Sequence, residues 1–430
     1  MWTGARRAII AQWLHGTLSI LRMVTATTPR LPEPQMGPLD GVRVLEAGLL
    51  VQGPQASLTM LEWGADVIKV ELPGFGDQSR WLPISREDRR SAFFTAYNRG
   101  KRSMTVDLRV PRGREIFLRM VETADVVVTN FKPGTMNDWG VGYTDAAQRN
   151  PRIVYAMGSS FGTEGPDAAR EGADLSAQAA GGLISTTGGH SSDPSPVGAT
   201  VADHISGQNL LAGVLAALFA RERTGRGQLV ETSLLGGQIW AQAGEYTRYL
   251  MSGEPSGPSG RSHPMIPGIY GLFPTSDGWI AIVGTAGPAR DLFYRTIGRP
   301  DLIDRFHHLL YFEDDKAELW PILDEVFVTK PTAEWCRLLG DAGLRFAPVR
   351  DHAEVAADPG VAANGYIERV QDPGASGSGT HVVRAPVRFS EPAPHALTQV
   401  PELGQHTEEV LLEIGYSWDD IADLSAAGAI

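Results

Sequence analysis

The stretch 41-GVRVLEAGLLVQGPQASLTMLEWGADVIKVE-71 decides the fold. Gly41 to Glu46 opens a short apolar strand. Gln55 to Trp63 carries apolar residues at helical spacing, and Gly64 stops that helix. Asp66-Val-Ile-Lys-Val-Glu is a second strand. Strand, helix and strand within about 30 residues make one βαβ unit. The turn between the first strand and the helix, Leu49-Leu-Val-Gln-Gly-Pro-Gln-Ala, lacks G-x-G-x-x-G. A nicotinamide or flavin dinucleotide site is therefore unsupported here.

Reading outward, the pattern repeats. Arg112 to Glu122 reads as a helix, Ala124 to Thr129 as a strand, and Asn130-Phe-Lys-Pro-Gly134 as the polar loop after it. Ile153-Val-Tyr-Ala is another strand, followed by the loop Ser159-Ser-Phe-Gly-Thr-Glu-Gly-Pro166. Loops at the carboxyl ends of parallel strands are where open α/β sheets bind ligands. The expectation is an α/β fold with a Rossmann-like, doubly wound first domain.

Composition sets the outer limits. The chain has 430 residues, 42% hydrophobic and 20% charged, enough for two or three ordinary globular domains. A net charge of −12 argues against nucleic acid as partner while leaving room for a local basic pocket. Cys336 is the single cysteine, in a helical context that suggests a packed thiol, so neither a disulfide framework nor a cysteine metal site is expected. No histidine spacing suits a metal, and His307-His308 reads as a surface pair. Residues 1–37 form an extension carrying Arg6, Arg7, Arg22 and Arg30 against Glu33. Its apolar part, Ala8 to Val24, is too short and too polar to span a membrane. A targeting segment, a disordered tail and an over-called start, with Met23 or Met36 as alternatives, all remain open readings. No membrane association and a cytoplasmic location are the expectation.

The domain reading places the first part of the large domain at 38–228, a smaller domain at 229–330 and the C-terminal part of the large domain at 331–430. Ser252 to Pro267, rich in Gly, Pro and Ser, reads as a connecting loop. Ile269 to Val283 reads as a hairpin about Asp277-Gly278. Leu292 to Phe306 and Ala317 to Phe327 read as helices. Val382 to Phe389 is strand-like, and His406 to Ile414 is a helix ended by Gly415.

Two acids stand near helix starts. In 198-GATVADHISGQNLLAGVLAALFARERTGRG-227, Ile205 to Arg221 reads as one helix, with Asp203 just before its first turn. A carboxylate there faces exposed amides and the positive dipole end, so it is expected to cap the helix and to stay ionised. Asp174, in Glu171-Gly-Ala-Asp-Leu-Ser-Ala-Gln178, occupies the same kind of position. Arg99, Lys101, Arg102 and Arg109 form a basic run. It reads either as a solvated face or as an anion site for phosphate groups.

The order of several short motifs resembles the family III CoA-transferases. They are Pro38-Leu-Asp-Gly-Val-Arg-Val-Leu-Glu, Gly64-Ala-Asp-Val-Ile-Lys-Val-Glu, Asn98-Arg-Gly-Lys-Arg-Ser, Asn130-Phe-Lys-Pro-Gly and Ser160-Phe-Gly-Thr-Glu-Gly-Pro. They continue with Asp203-His-Ile-Ser-Gly, Thr224-Gly-Arg-Gly-Gln and Leu403-Gly-Gln-His-Thr-Glu-Glu-Val-Leu, so the resemblance spans about Pro38 to Tyr416. It implies a large domain built from both ends of the chain, a small middle domain, and a homodimer of interlocked subunits. It implies transfer of CoA between an acyl-CoA and a small carboxylic acid, with CoA as part of the substrate and no metal or redox cofactor.

The resemblance makes Asp203, in D-x-x-x-G, the covalent nucleophile and places Asp174 near the active centre. Asn130 and Phe131 match a loop bordering the nucleotide, and Arg109 a basic residue near its phosphates. Val51, Val106 and Trp139 match apolar contacts with CoA. Ser256 to Arg261 is the nearest counterpart of a glycine-run lid. Val51, Leu72 and Asp138 depart from the formyl-CoA enzyme, pointing away from formate and oxalate as substrates. Two alternatives follow. One is a 2-methylacyl-CoA racemase-like isomerase, for which Asp174 fits but Thr144 stands where the partner histidine belongs. The other is a non-catalytic CoA-binding protein.

Overall fold

A computed structural model of the chain describes residues 37–189, 193–285, 287–307, 310–370, 380–390 and 399–430. Residues 1–36 of the N-terminal extension lie outside these ranges, as does His308 of the histidine pair.

The first part of the chain alternates strands and helices. These are β1 (Arg43–Ala47), α1 (Gln52–Glu62), β2 (Asp66–Glu71), α2 (Ala92–Asn98), β3 (Arg102–Thr105), α3 (Pro111–Val121), β4 (Val126–Thr129), α4 (Tyr143–Arg149), β5 (Val154–Ser159), α5 (Asp174–Ala180), α6 (Val201–Thr224) and β6 (Leu229–Ser233). The six strands are parallel in the order β3-β2-β1-β4-β5-β6, which reverses direction between β1 and β4. That is the doubly wound order, and its crevice opens beyond the carboxyl ends of those two strands.

Period-2 alternation splits the strands' side chains between two cores. Leu45, Ile68, Val127 and Tyr155 face Ile116 and Phe117 of α3. Val44, Val67, Val126 and Val128 face Ala56 and Met60 of α1 and Leu210, Leu211 and Val214 of α6. Because both faces are covered, the strands read as nearly unbroken apolar runs.

Two boundaries move. Leu229–Ser233 does not open the middle domain. It is β6, paired with Tyr155–Ser159 at the edge of the large sheet. Residues 331–348 do not return to that sheet either. β7 (Ile269–Pro274) and β8 (Trp279–Thr285) form the hairpin, and β9 (Phe346–Pro348) adds to β8. Helix Thr332–Asp341 buries Trp335 and Leu339 in the core of that small sheet, beside Phe273, Phe293 and Phe327. The Trp335 indole donates to the Phe327 carbonyl at 2.8 Å. The predicted helix over 292–306 is two, Pro288–Thr296 and Leu302–Arg305, because Gly298 turns to φ +78° and Pro300 follows.

The strand expected over 382–389 is shorter and sits elsewhere in the fold. β10 (Ile367–Val370) and β11 (Thr380–Val383) make a separate antiparallel pair, which ends before Pro386. The last two helices, Thr407–Glu413 and Trp418–Ala426, complete the first face of the large sheet with Val410, Leu411, Ile421 and Leu424. The Ser103 carbonyl accepts from the His406 amide at 2.8 Å, and the Ala429 carbonyl from Asp107 at 2.9 Å.

Candidate active site

Asp203 is not the cap of its helix. α6 begins at Val201, four residues before the expected start at Ile205, with Thr200 as N-cap, so Asp203 is the third helical residue. The free amides of that first turn go to another acid. Oδ1 of Asp174, the first residue of α5, accepts from the backbone N–H of Ala202 at 2.7 Å and of Asp203 at 3.2 Å. Its Oδ2 accepts from Gln178 Nε2 at 2.5 Å, and Gln178 Oε1 accepts from the Val197 amide at 3.0 Å. Asp174 thus caps α6 from outside the helix.

The consequence reverses the expected charge state. Burial, reinforced by the negative charge of Asp174, pushes the Asp203 carboxyl up to about 7. The donors expected to hold it ionised are spent on its neighbour. Near neutral pH Asp203 is divided between acid and carboxylate, the range in which a side chain can serve either as a proton donor or as an anion.

The glycine of D-x-x-x-G has a packing cause. A Cβ on Gly207 would lie 2.8 Å from the Gln52 carbonyl oxygen and 2.2 Å from Gln55 Oε1. Without one, the first turns of α6 rest on the first turn of α1. Gln52 Nε2 fastens the contact, donating to Ser206 Oγ at 2.6 Å and to the Ser159 carbonyl at 3.4 Å. Asp203 is thereby placed at the carboxyl-end rim of the sheet.

The β1–α1 turn lies on the same rim. Asn130, just past β4, accepts from the Leu49 amide at 2.7 Å and donates to the Leu49 carbonyl at 2.8 Å, bridging the switch point. Leu50 is held at φ +62°, a left-handed conformation costly for leucine. Its amide donates to Asp77 Oδ1 at 3.1 Å. Asp77 belongs to a buried charge network in which Lys69 meets Asp77 at 2.8 Å and Glu46 at 2.7 Å, while Lys101 meets Glu46 at 2.5 Å. This chain of ion pairs lies beneath the turn and, through Asp77, fixes the Leu50 amide.

Beside the turn lies a crevice of about 200 Å³. Val106, Arg109, Phe131 and Trp139 all line it, with Leu72 and Phe75. Phe131 and Trp139 meet edge to face at 5.1 Å. Arg109, more than half exposed, is bound to Asp107 at 2.8 Å. Asn130 and Val51 are not among the lining groups: Asn130 anchors Leu49, and Val51 is the buried N-cap of α1.

The basic run does not form one anion site. Arg99 turns inward to Glu62, Lys101 inward to Glu46, and Arg102 outward to Asp66, Glu409 and Glu413. Arg109 alone of the four stands at the crevice. The lid candidate Ser256 to Arg261 lies against the segment after α5, its Ser259 and Gly260 amides donating to the Thr186 and Gly188 carbonyls at 2.9 and 2.8 Å.

Two side chains were not singled out from the sequence. The Tyr97 hydroxyl and His204 Nε2 share a 2.8 Å hydrogen bond. Burial lowers the pKa of His204, which leaves its imidazole neutral. Burial, with the Thr200 hydroxyl opposing it and the charge of Asp203 adding to it, raises that of Tyr97. The only sequence signal was adjacency, since His204 directly follows Asp203 in the motif.

A sequence model described as CoA-transferase family III matches residues 39–407. The chain is 32% identical to succinyl-CoA:glutarate CoA-transferase of Mus musculus over 92% of its length and 91% of that protein's. It is 33% identical to succinyl-CoA:mesaconate CoA-transferase of Haloarcula marismortui, over 88% of this chain and 97% of the relative. Among solved structures, a CAIB/BAIF family protein from Brucella suis superposes with a TM-score of 0.78 at 32% identity. The match covers 88% of this chain and all of that one.

Proposed function

The chain belongs to CoA-transferase family III, and on that footing we propose that it moves coenzyme A from an acyl-CoA thioester to a free carboxylic acid through covalent adducts on Asp203. The observation that carries this reading is the state of Asp203. It is partly buried, raised to about 7, and relieved of capping duty by Asp174.

In this reading the Asp203 carboxylate attacks the acyl carbon of the thioester. The C–S bond breaks, giving a mixed anhydride and CoA thiolate. The thiolate then attacks the Asp203 carbonyl of the anhydride, releasing the first acid and leaving an aspartyl-CoA thioester. The acceptor carboxylate attacks that thioester and frees the thiolate again. The thiolate takes the new acyl group, and Asp203 returns as a carboxylate. Acyl energy is conserved at each step because bonds are exchanged rather than hydrolysed. Burial that disfavours the Asp203 anion favours its neutral anhydride and thioester, so the environment that raises its pKa also stabilises the adducts.

The crevice lined by Val106, Arg109, Phe131 and Trp139 would take the nucleotide end of CoA, with Asn130 and Val51 shaping the turn above it. Asp174 would act as a positioning residue through the α6 amides. We also read the protein as a homodimer. Trp240, Leu250 and Met251 are 71%, 78% and 84% exposed on neighbouring helices, an apolar surface of the kind a partner covers. Light scattering of the purified protein checks this.

The central test is trapping. Incubation with acyl-CoA followed by hydroxylamine and peptide mass spectrometry should modify Asp203. Asp203→Ala should lose activity by about a thousandfold or more. Retention of full transfer by that variant would overturn the reading.

A further inference from the structure

A second and larger cavity, of about 1070 Å³, lies apart from the crevice at Phe131 and Trp139. It lies on the other side of α1, between α1, α2, the start of α6 and the β11 segment. At one end are Tyr97, His204 and Gln208, immediately beside the nucleophile. At the other are Arg384, His381 and Arg90. Its middle is apolar, with Leu58, Trp63 and Val382. Although acids outnumber bases in this chain, 50 to 38, no aspartate or glutamate is among the described residues lining this cavity. Arg90 and Arg384 each pair with a carboxylate that stands outside the lining, so what the wall offers an anion is the guanidinium donors of Arg384 rather than an unpaired charge.

The far wall is fixed in place. Glu62, buried on α1, accepts from the Ala385 amide at 2.8 Å and pairs with Arg99. Arg99 in turn donates to the Val383 carbonyl at 2.8 Å. Arg384 is thereby held over the cavity. Its ion pairs, to Glu368 at 3.2 Å and Glu62 at 3.9 Å, reach it through Nε. The two terminal nitrogens keep the planar fork that matches a carboxylate. Arg90 is already forked onto Asp88 and adds charge rather than free donors.

Resting on the transfer reading, we propose that this cavity holds the acyl group and that its substrates are dicarboxylic. The reacting carboxyl sits at the Asp203 end beside Tyr97 and His204, the methylenes lie along Leu58, Trp63 and Val382, and the distal carboxylate meets Arg384. Both the donor acyl group and the acceptor acid are bonded to Asp203 in turn. One chamber therefore serves both, and both should carry the second carboxylate.

The test compares chain-matched acceptors, glutarate against valerate and suberate against octanoate, with a single acyl-CoA donor. The wild-type enzyme should favour the diacid of a pair by roughly tenfold or more in kcat/KM. Arg384→Gln should cut that diacid-to-monoacid ratio at least about tenfold, and Arg384→Lys should restore part of it. Because Arg384 also pairs with Glu62 and Glu368, a second variant guards against loss of fold. Thr95→Glu adds an acid to the lining and leaves those pairs in place, and it should lower the same ratio. Equal use of monoacids and diacids, or a ratio unmoved by both Arg384→Gln and Thr95→Glu, overturns the proposal and leaves CoA transfer standing. Transfer to no acid at all, with Asp203 unlabelled, is instead the failure of the transfer reading.

Discussion

Asp174 takes the first two free amides of α6, and Asp203 is left partly buried beside a negative charge with none of the donors its position offered. The rate should therefore follow the Asp203 carboxylate. In the free enzyme kcat/KM should rise with pH through an apparent pKa of about 7 and level off above it. Asp174→Asn removes the repelling charge while keeping an oxygen for the amides, so the acid limb should move to lower pH. A limb that stays in place would show that Asp174 does not tune the nucleophile. Stability carries the opposite sign. Asp203 has a folded-state pKa above its unfolded value of 3.8, so its contribution is fully present below about pH 4 and is lost as pH rises through about 7. Asp203→Asn should accordingly gain thermal midpoint relative to wild type at pH 8 and not at pH 4, in paired melts.

At the scale of elements, the contact of α1 with α6 sets where Asp203, the proposed nucleophile, stands. Gly207 permits it, and Gln52 ties it to Ser206 and β5. Gly207→Ala drives a methyl group into the Gln52 carbonyl, a backbone atom that cannot swing away. We expect a loss of about 1–3 kcal/mol in chemical denaturation, together with a fall in kcat larger than the change in CoA affinity. Unchanged stability would mean that α6 moves off α1 freely. This contact was not legible in the sequence. The motif marks the glycine, but nothing local says that its neighbour is a glutamine 155 positions earlier. The basic run shows the same limit. Four cations lie close in sequence and find partners on four sides because a turn, a strand and a loop aim them differently.

At the scale of the whole molecule, the chain closes on itself. Residues 407–430 supply Val410, Leu411, Ile421 and Leu424 to a sheet face whose strands begin at Arg43. Leu411 is fully buried there. Leu411→Ala should cost about 2–5 kcal/mol in urea unfolding, as much as a core residue of the first βαβ unit. A cost near zero would show that the terminal helices dock loosely.

Four of the six strands of the large sheet, β1, β2, β4 and β5, were readable from the chain, with the helices α1, α3 and α6, whereas β3 was read only as part of a basic run. Strand and helix periods are local, and the D-x-x-x-G spacing is a property of one segment. The shifted boundaries at β6 and β9 were not, because an edge strand's pairing depends on which sheet has an open side. Nor was the protonation of Asp203, which depends on burial and on a carboxylate 29 residues away. The sequence by itself determined which acids stand near helix starts and which layers would form. Only the tertiary structure decided which acid caps the helix and which is left without those donors, because hydrogen-bond donors and solvent are allotted in space and not along the chain.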